Sequence, residues 1–396
     1  MTNEYRPFFN RKQLTVLMWF SLLAIAVLST MGPGPVEYQK ISHSDNKTVY
    51  WMELEDQPTT LSLLLPTTPA LNNQQRQLQQ LKSTILQSRL REIASPDFSY
   101  QVTPKQDRIE ITLRWASQQP IPDLAAIWNR LQSPAIAGDW LKEIKNIQAR
   151  DYLNNQSTDQ ALLNQFYQQL QPLQNQPIDQ QLSNSYAALF NAPRYAVSGE
   201  EAEEIAERIE KTLPQSALSQ STPELPAPTL QLSNDQGKQS YALLLGRTLP
   251  PRSAEAFLNE RLAAQVIQDL LQEYKAQKAL DFRMLWSALE SSGYSAIILS
   301  ANQNPGPLLP QLRQNLSDDL VEASQERLAQ QWHDRMRDIN NQVSALNLVA
   351  FYQLPTDTLE DYAEEILDLD EDQVLEIADK ALQTSGQISI LQSPSL

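Results

Sequence analysis

Residues 239–275 read QSYALLLGRTLPPRSAEAFLNERLAAQVIQDLLQEYK, an apolar strand followed by a long helix. Tyr241–Leu245 predicts the strand, and Ala254–Tyr274 predicts the helix because its apolar residues recur at helical spacing. The same order occurs in the first half of the chain, where Thr60–Leu65 predicts a strand and Leu71–Ile93 predicts a long helix. The chain therefore contains this strand-helix unit twice.

The elements around each long helix also recur in the same order. Alternating residues predict a hairpin after each helix, and helices and a late strand follow each hairpin. The arms of the first predicted hairpin are Phe98–Val102 and Arg108–Trp115, and those of the second are Phe282–Leu289 and Tyr294–Ser300. The predicted helices are Ile121–Leu131, Asp139–Tyr152, Asp159–Leu170, Glu200–Leu213, Leu308–Leu320, Ser324–Ile339, Val343–Tyr352 and Asp372–Leu382. The remaining predicted strands are Thr48–Leu54, Tyr195–Ser198 and Gln387–Leu391. Phe166-Tyr167-Gln168 and Phe351-Tyr352-Gln353 occupy the same place at a shift of 185 positions, which supports a duplication.

The predicted fold class is α+β, with two homologous repeats that each consist of a sheet with helices packed on it. Residues 36–214 form the first repeat and residues 229–396 the second. Residues 215–228, QSALSQSTPELPAP, are polar, proline-rich and aperiodic, and they predict a linker. Residues 1–35 are predicted to be a cytoplasmic stub followed by a transmembrane anchor.

The anchor is predicted from the uncharged run Leu14–Met31, whose roughly 18 residues would span about 27 Å as a helix. Arg6, Arg11 and Lys12 precede the run, so the positive-inside rule places the body across a bacterial inner membrane, in the periplasm. The alternative is a cleaved signal peptide. The end of the run lacks a clear A-x-A site, which favours a retained signal-anchor.

The composition excludes several classes of function. The 396 residues include no cysteine, which excludes disulfides, thiolate metal sites and cysteine nucleophiles. There are two histidines, His43 and His333, and no glycine-rich phosphate loop. The formal net charge is −16, so the chain repels phosphate backbones, and no nucleic acid is expected as a partner.

Two segments resemble the insulinase-like (pitrilysin) metallopeptidase family. Ala192–Pro214, APRYAVSGEEAEEIAERIEKTLP, is similar to that family's strand, glycine-acidic turn and helix. Gln239–Lys275 is similar to the start of its second half. The resemblance covers nearly all of residues 48–396 and implies the duplicated fold of these peptidases.

The resemblance also implies a zinc site that this chain lacks. Active members carry H-x-x-E-H on the first long helix, with histidines as ligands and the glutamate as general base. Here residues 72–90 read NNQQRQLQQLKSTILQSRL, without histidine or glutamate before Glu92. Gln148 falls near the position implied for the third ligand. His43 precedes the fold, and His333 lies in the other half.

A second implied site is also altered. Active pairs use an arginine and a tyrosine in the second half to hold the substrate backbone. Lys275 stands at the arginine position and Phe282 at the tyrosine position. Lysine lacks the bidentate fork of arginine, and phenylalanine lacks the hydroxyl.

Other candidate sites have simpler interpretations. Asp368, Asp370 and Asp372 suggest a calcium loop, but Gln373 replaces its glycine and Asp379 its bidentate glutamate, so an acidic helix start is the alternative. The glutamates of the helix after Gly199 are predicted to form a solvated face, and His333 a surface or boundary residue. The sequons at Asn46, Asn155 and Asn315 are expected by chance in a chain rich in Asn, Gln and Ser.

We therefore assign no catalytic, cofactor-binding or metal-binding residue. The sequence predicts a non-catalytic homologue of insulinase-like metallopeptidases that forms a hetero-oligomer with an active zinc peptidase subunit and is held in the membrane through residues 14–31. A structural or scaffolding protein that binds an unrelated membrane complex is the alternative. An enzyme with new chemistry has the least support, because no His, Cys or Gly-rich group converges.

Overall fold

Alternating side chains build the first sheet and give it two different faces. Leu61, Leu63 and Leu65 point to a core beneath helices, while Thr60 and Ser62 point to the opposite face. The six strands are β1 (Ile41–His43), β2 (Val49–Glu53), β3 (Thr59–Pro66), β4 (Ser99–Pro104), β5 (Arg108–Trp115) and β6 (Arg194–Gly199), in the order β1-β2-β6-β3-β5-β4.

The helices of the first half cover the leucine face of this sheet. Asn72 begins the longest of them, because its side chain accepts a hydrogen bond from the backbone N–H of Gln75. The helices are α1 (Asn73–Glu92), α2 (Leu124–Gln132), α3 (Leu141–Asn154), α4 (Thr158–Leu170), α5 (Ile178–Ser185) and α6 (Ala202–Thr212), with 3₁₀ turns at Ala137–Trp140 and Ala187–Phe190. All but α4 contribute to the first core.

The second half repeats this plan. Its strands are β7 (Leu230–Asp235), β8 (Tyr241–Leu249), β9 (Asp281–Ser287), β10 (Gly293–Ala301) and β11 (Ile388–Ser393), in the order β7-β11-β8-β10-β9. Its helices are α7 (Ala256–Lys278), α8 (Leu309–Gln314), α9 (Asp318–Met336), α10 (Ile339–Tyr352), α11 (Thr358–Leu367) and α12 (Glu371–Ala381), with a 3₁₀ turn at Gly306–Leu308.

The two sheets share one strand topology. The order β2-β6-β3-β5-β4 in the first sheet corresponds to β7-β11-β8-β10-β9 in the second. In each case the first pair is parallel and the remaining neighbours are antiparallel. The predicted fold of two sheets packed with helices is therefore confirmed, and β1 is an addition at the edge of the first sheet.

Several predicted boundaries were wrong. The helix predicted at Leu308–Leu320 is broken at residues 315–317, because Ser317 accepts a hydrogen bond from the N–H of Leu320 and begins α9. The helix predicted at Ser324–Ile339 therefore starts earlier, and it ends at Met336 because Asp338 caps α10. The patterns missed β1, β7, α5 and α11. The helix predicted at Ile121–Leu131 starts at Leu124, after the capping side chain of Asp123.

The computed structural model describes residues 36–135, 137–154, 158–215, 224–235, 240–278 and 280–394. Within these ranges no helix is long and apolar enough to cross a membrane. The anchor predicted at Leu14–Met31 lies outside them, as does most of the predicted linker. Residues 38–396 belong to one compact unit.

One helix of each half packs on the sheet of the other half. Helix α4 packs on β8 and β11 of the second sheet, and α10 packs on β2, β3 and β6 of the first. Phe166 and Tyr167 lie near the end of α4, and Phe351 and Tyr352 end α10. The tripeptides at the 185-residue shift thus mark the same position in a reciprocal exchange.

Candidate functional site

Helix α1 carries glutamines in the region where the resemblance implies a zinc site. The side chain of Gln77 donates a hydrogen bond to Oδ2 of Asp151 on α3 at 2.9 Å. The side chain of Gln79 donates to Thr67 Oγ1 and to the carbonyl of Arg108. Neutral amides are not the ligands zinc prefers, and no three His, Cys, Asp or Glu side chains within the described ranges could hold a metal. The residues of this region therefore do not fit zinc.

The contact between the two helices comes from a residue for which the sequence predicted no role. Gln148, at the position implied for the third ligand, is exposed on α3. Asp151 lies three residues further along α3 and makes the hydrogen bond to α1. In the sequence, the carboxylate of Asp151, about one turn beyond Gln148, was the feature that could have predicted this contact.

The two histidines make separate local contacts. His43 Nδ1 lies 2.8 Å from the carbonyl of Ser44, and its ring packs against Tyr50. His333 Nδ1 lies 3.0 Å from the hydroxyl of Tyr38. Both imidazole rings are partly exposed and each has a local contact, which is consistent with residues at the boundary of the surface.

The structure does bring together the two residues of the second implied site. The ammonium of Lys275 lies 6.0 Å from the ring centroid of Phe282, across the end of α7 and the start of β9. However, Lys275 also forms an exposed ion pair with Asp281 at 2.8 Å. The ammonium of Lys275 is thus already paired with a carboxylate, and it also lacks the two parallel N–H donors of an arginine.

The acidic residues considered as candidate sites form a helix cap, an ion pair and an exposed helix face. Asp370 caps α12 by accepting a hydrogen bond from the N–H of Gln373 at 2.9 Å. Asp379 is held by two hydrogen bonds from Arg313, at 2.6 and 2.9 Å. On α6 the glutamates are exposed, while Ala202, Ile205, Ala206 and Ile209 are buried. Asn46 and Asn315 make hydrogen bonds near the surface, and Asn155 lies outside the described residues.

The polar face of the first sheet forms a groove with α10. Its volume is about 470 Å³. Because side chains alternate along strands, β3, β4 and β5 present mainly polar groups here, while Leu54, Pro58, Ile339 and Val343 add apolar ones at the ends and on α10. The groove is lined by Thr60, Ser62, Ser99, Gln101, Thr103, Glu110, Thr112 and Arg114 from the sheet and by Asn340, Ser344 and Asn347 from α10. Ser99, Gln101 and Arg114 are exposed at the open edge.

On the second sheet, α4 forms what we call the apolar seam, defined by Phe166, Tyr167, Gly246 and Tyr294. The ring of Phe166 lies directly on Gly246 of β8, where a Cβ would collide with it. The hydroxyls of Tyr167 and Tyr294 are 3.1 Å apart, and the amide of Gln106 donates to Tyr294 at 2.7 Å. Arg76 lies 5.5 Å from the ring centroid of Tyr167, but no ion pair among the described residues involves the four residues of this seam.

On the first sheet, α10 forms the charged seam, defined by Phe351, Tyr352, Asp107 and Arg108. Tyr352 donates a hydrogen bond to Asp107 at 2.7 Å, and burial raises the pKa of its phenol. Arg108 binds Asp107 at 2.9 Å and Glu110 at 2.8 Å. Its guanidinium lies 4.7 Å from the ring centroid of Phe351.

Solved structures share this fold. Neither a protein-family model nor a curated protein matches the sequence. The inactive domain of a peptidase M16 from Pseudomonas fluorescens has a TM-score of 0.68 at 14% identity, over 91% of this chain and 98% of that one. A chain of complex III2 from Candida albicans has a TM-score of 0.60 at 11% identity, over 87% of this chain and 93% of that one.

Pitrilysin has a TM-score of 0.58 at 12% identity, over 91% of this chain but 44% of its own. At these identities the likeness is one of fold. It confirms the insulinase-like fold that the two segments implied. One neighbour is described as an inactive domain, so the fold also occurs without a peptidase activity.

Proposed function

We propose that this chain is a non-catalytic subunit that pairs with an active zinc peptidase of the same fold. The observation that carries the proposal is the hydrogen bond between Gln77 and Asp151, which joins the two helices where the resemblance implies a metal. The fold is retained while the ligand chemistry is replaced. A chain of this kind can still supply a binding wall to a catalytic partner.

The size of pitrilysin supports the pairing. This chain corresponds to 44% of that protein, so two chains of this length match it approximately. A partner with H-x-x-E-H would supply the other part. A stable association of this kind buries roughly 1,000 Å² or more.

The groove between the first sheet and α10 is the surface we assign to the partner or to its substrate. Its polar groups include strand-edge residues whose side chains are exposed, Ser99 and Gln101. An extended peptide could add hydrogen bonds along such an edge. We place this body in the periplasm, anchored through residues 14–31, where a partner on the same membrane would meet it at raised effective concentration.

The test is functional. The candidate zinc subunit, encoded by an adjacent gene and bearing H-x-x-E-H, is co-expressed with and without residues 36–396, and its peptide cleavage is measured. We expect cleavage to depend on this chain and the two proteins to co-elute. Gln101→Arg, in the groove, should weaken both, whereas Gln330→Arg, an equal charge change on exposed α9, should not. Unchanged cleavage without co-elution would contradict the proposal.

A scaffolding role in an unrelated membrane complex is the second candidate. It is supported by the chain of complex III2 that shares the fold over 87% of this chain. It predicts a stable complex whose other members include no peptidase. Affinity purification from membranes followed by mass spectrometry distinguishes the two candidates.

A further inference from the structure

A cleft of about 540 Å³ lies in the second half, where the start of α7 meets α9, α10 and α11. Its walls are mainly apolar, and two aromatic pairs stand on them. The rings of Trp332 and Tyr362 have centroids 4.3 Å apart, and those of Phe257 and Trp286 are 5.2 Å apart. A cleft of this size accommodates a small ligand or one or two residues of a peptide.

Three arginines line the same cleft, namely Arg252, Arg261 and Arg335. None of them pairs with a carboxylate among the residues that the structure describes. Arg252 lies 5.3 Å from the ring centroid of Phe257, and Arg261 lies 5.6 Å from that of Trp286. The rings hold the guanidinium groups in place by cation–π contact. In a chain of net charge −16, three cations gathered in one cleft form a local exception.

Two donors in the cleft lining are buried without a partner. Nε of Arg252 and Nε1 of Trp286 make no hydrogen bond to any described residue. A buried donor without an acceptor destabilises the folded protein, and buried polar groups in proteins are almost always paired. Burial also lowers the pKa of Arg252. The charge of Arg252 is therefore poorly compensated in the free protein, and an anion in the cleft would compensate it.

The carboxylates of the cleft restrict the ligand. Glu255 and Glu365 line it and are exposed. Burial, together with Asp361 and Asp357, raises the pKa of Glu365. A multiply charged anion such as phosphate would be repelled by these groups. A single carboxylate on an apolar body would be repelled less, and its charge can lie among the arginines while its body lies on the aromatic walls.

We infer that this cleft binds the C-terminal carboxylate of a peptide whose last residue is apolar. The guanidinium forks match a planar carboxylate, and Trp286 and Trp332 provide surface for the terminal side chain. Polar residues of the lining, Ser253, Gln331 and Thr358, suit the peptide amides, which a fatty acid lacks. The inference does not depend on the proposed peptidase partner.

The experiment uses tryptophan fluorescence, since Trp286 and Trp332 line the cleft. Residues 36–396 are titrated with a pentapeptide ending in phenylalanine, as the free acid and as the amide. We expect saturable binding of the acid and at least tenfold weaker binding of the amide. Arg335→Gln, at an exposed position, and Arg261→Gln should each weaken binding about tenfold. Arg313→Gln, which removes the same charge beside Asp379, should bind as the wild type does.

Circular dichroism establishes that each variant is folded. Decanoate and inorganic phosphate are added as competitors, and we expect neither to displace the peptide at equal concentration. Equal binding of acid and amide, displacement by decanoate or phosphate, or no binding at millimolar peptide would each overturn the inference.

Discussion

The apolar seam and the charged seam occupy equivalent positions, yet they use different chemistry. In the apolar seam Phe166 rests on the backbone of Gly246. In the charged seam Phe351 is flanked by Arg108 and Arg194, whose guanidinium groups lie 4.7 and 5.1 Å from its ring centroid. The aromatic pair is thus the shared feature, and the surface that receives it differs. The geometry of the exchange therefore needs a ring and a hydroxyl, but not one particular set of partners.

The largest expected effect comes from removing the cation of the charged seam. Arg108→Met leaves Asp107 and Glu110 buried without their common partner. We expect the free energy of unfolding to fall by about 3–5 kcal/mol, measured by urea denaturation. Arg130→Met, which removes an exposed ion pair with Glu92, should cost about 0–1 kcal/mol. Equal losses in the two variants would mean that the charged seam is not a buried network.

The long helices extend the comparison, because the buried acids of α7 are paired with arginines, whereas Lys82, one of two buried cations of α1, is not paired with an acid in the part of the chain that the structure describes. Asp269 of α7 binds Ser324 and Arg327, whereas Lys82 of α1 is 6% exposed and has no acidic partner within the described residues. Burial lowers the pKa of Lys82 from 10.5 to about 8. Below pH 8 Lys82 is charged in both states, and the folded protein therefore carries the cost of a buried charge that the unfolded chain avoids.

Lys82→Met should accordingly stabilise the fold by about 2–3 kcal/mol at pH 7. Between pH 8 and 10.5 the unfolded chain binds more protons than the folded one, so wild-type stability rises and the gain shrinks. Denaturation at pH 7 and at pH 10 measures the difference. A gain that stays constant with pH would contradict the assignment to the charge of Lys82.

Gly246 tests the apolar seam. Gly246→Ala places a methyl group in the ring of Phe166 and should cost about 1–3 kcal/mol. The double variant Gly246→Ala/Phe166→Leu should lose less than the sum of the two single variants, because the smaller side chain frees space. Gly138→Ala is the control, since nothing lies within 4 Å of a Cβ there. Strict additivity in the double variant would argue against direct contact.

The two hydroxyls compare the seams directly, and Tyr167→Phe has the smallest effect we expect. Tyr352→Phe removes a donor to the carboxylate of Asp107 and should cost about 1.5–3 kcal/mol. Tyr167→Phe removes a neutral hydrogen bond to Tyr294 and should cost about 0.5–1.5 kcal/mol. Thermal unfolding of both variants gives the comparison. A larger loss for Tyr167→Phe would reverse our ranking of the seams.

The sequence predicted the order of elements because local periodicity records it. The leucines of β3 and the spacing in α1 and α7 identify strands and helices without tertiary information. The break at Ser317 was missed because one capping side chain overrides the helical pattern on both sides. Helix α5 was missed because its glutamines and serines give a weak apolar stripe. The reciprocal packing of α4 and α10 could not be read from either helix alone.

The candidate sites were predictable to different degrees. The lack of zinc ligands on α1 is visible in the sequence, and so are the substitutions at Lys275 and Phe282. The arginine cleft has no motif, because Arg252, Trp286, Arg335 and Tyr362 come together from α7, β9, α9 and α11 and their neighbouring loops. Only the three-dimensional arrangement shows that these cations share one aromatic cleft.

The exchange of helices imposes an order on synthesis. The hydroxyl contact of the apolar seam joins residues 127 positions apart, and that of the charged seam joins residues 245 positions apart. When the first half leaves the ribosome, Phe166 and Tyr167 have no sheet to cover them until β8 and β10 follow. The nascent first half therefore exposes these two aromatic side chains until the second half has been made, which favours aggregation.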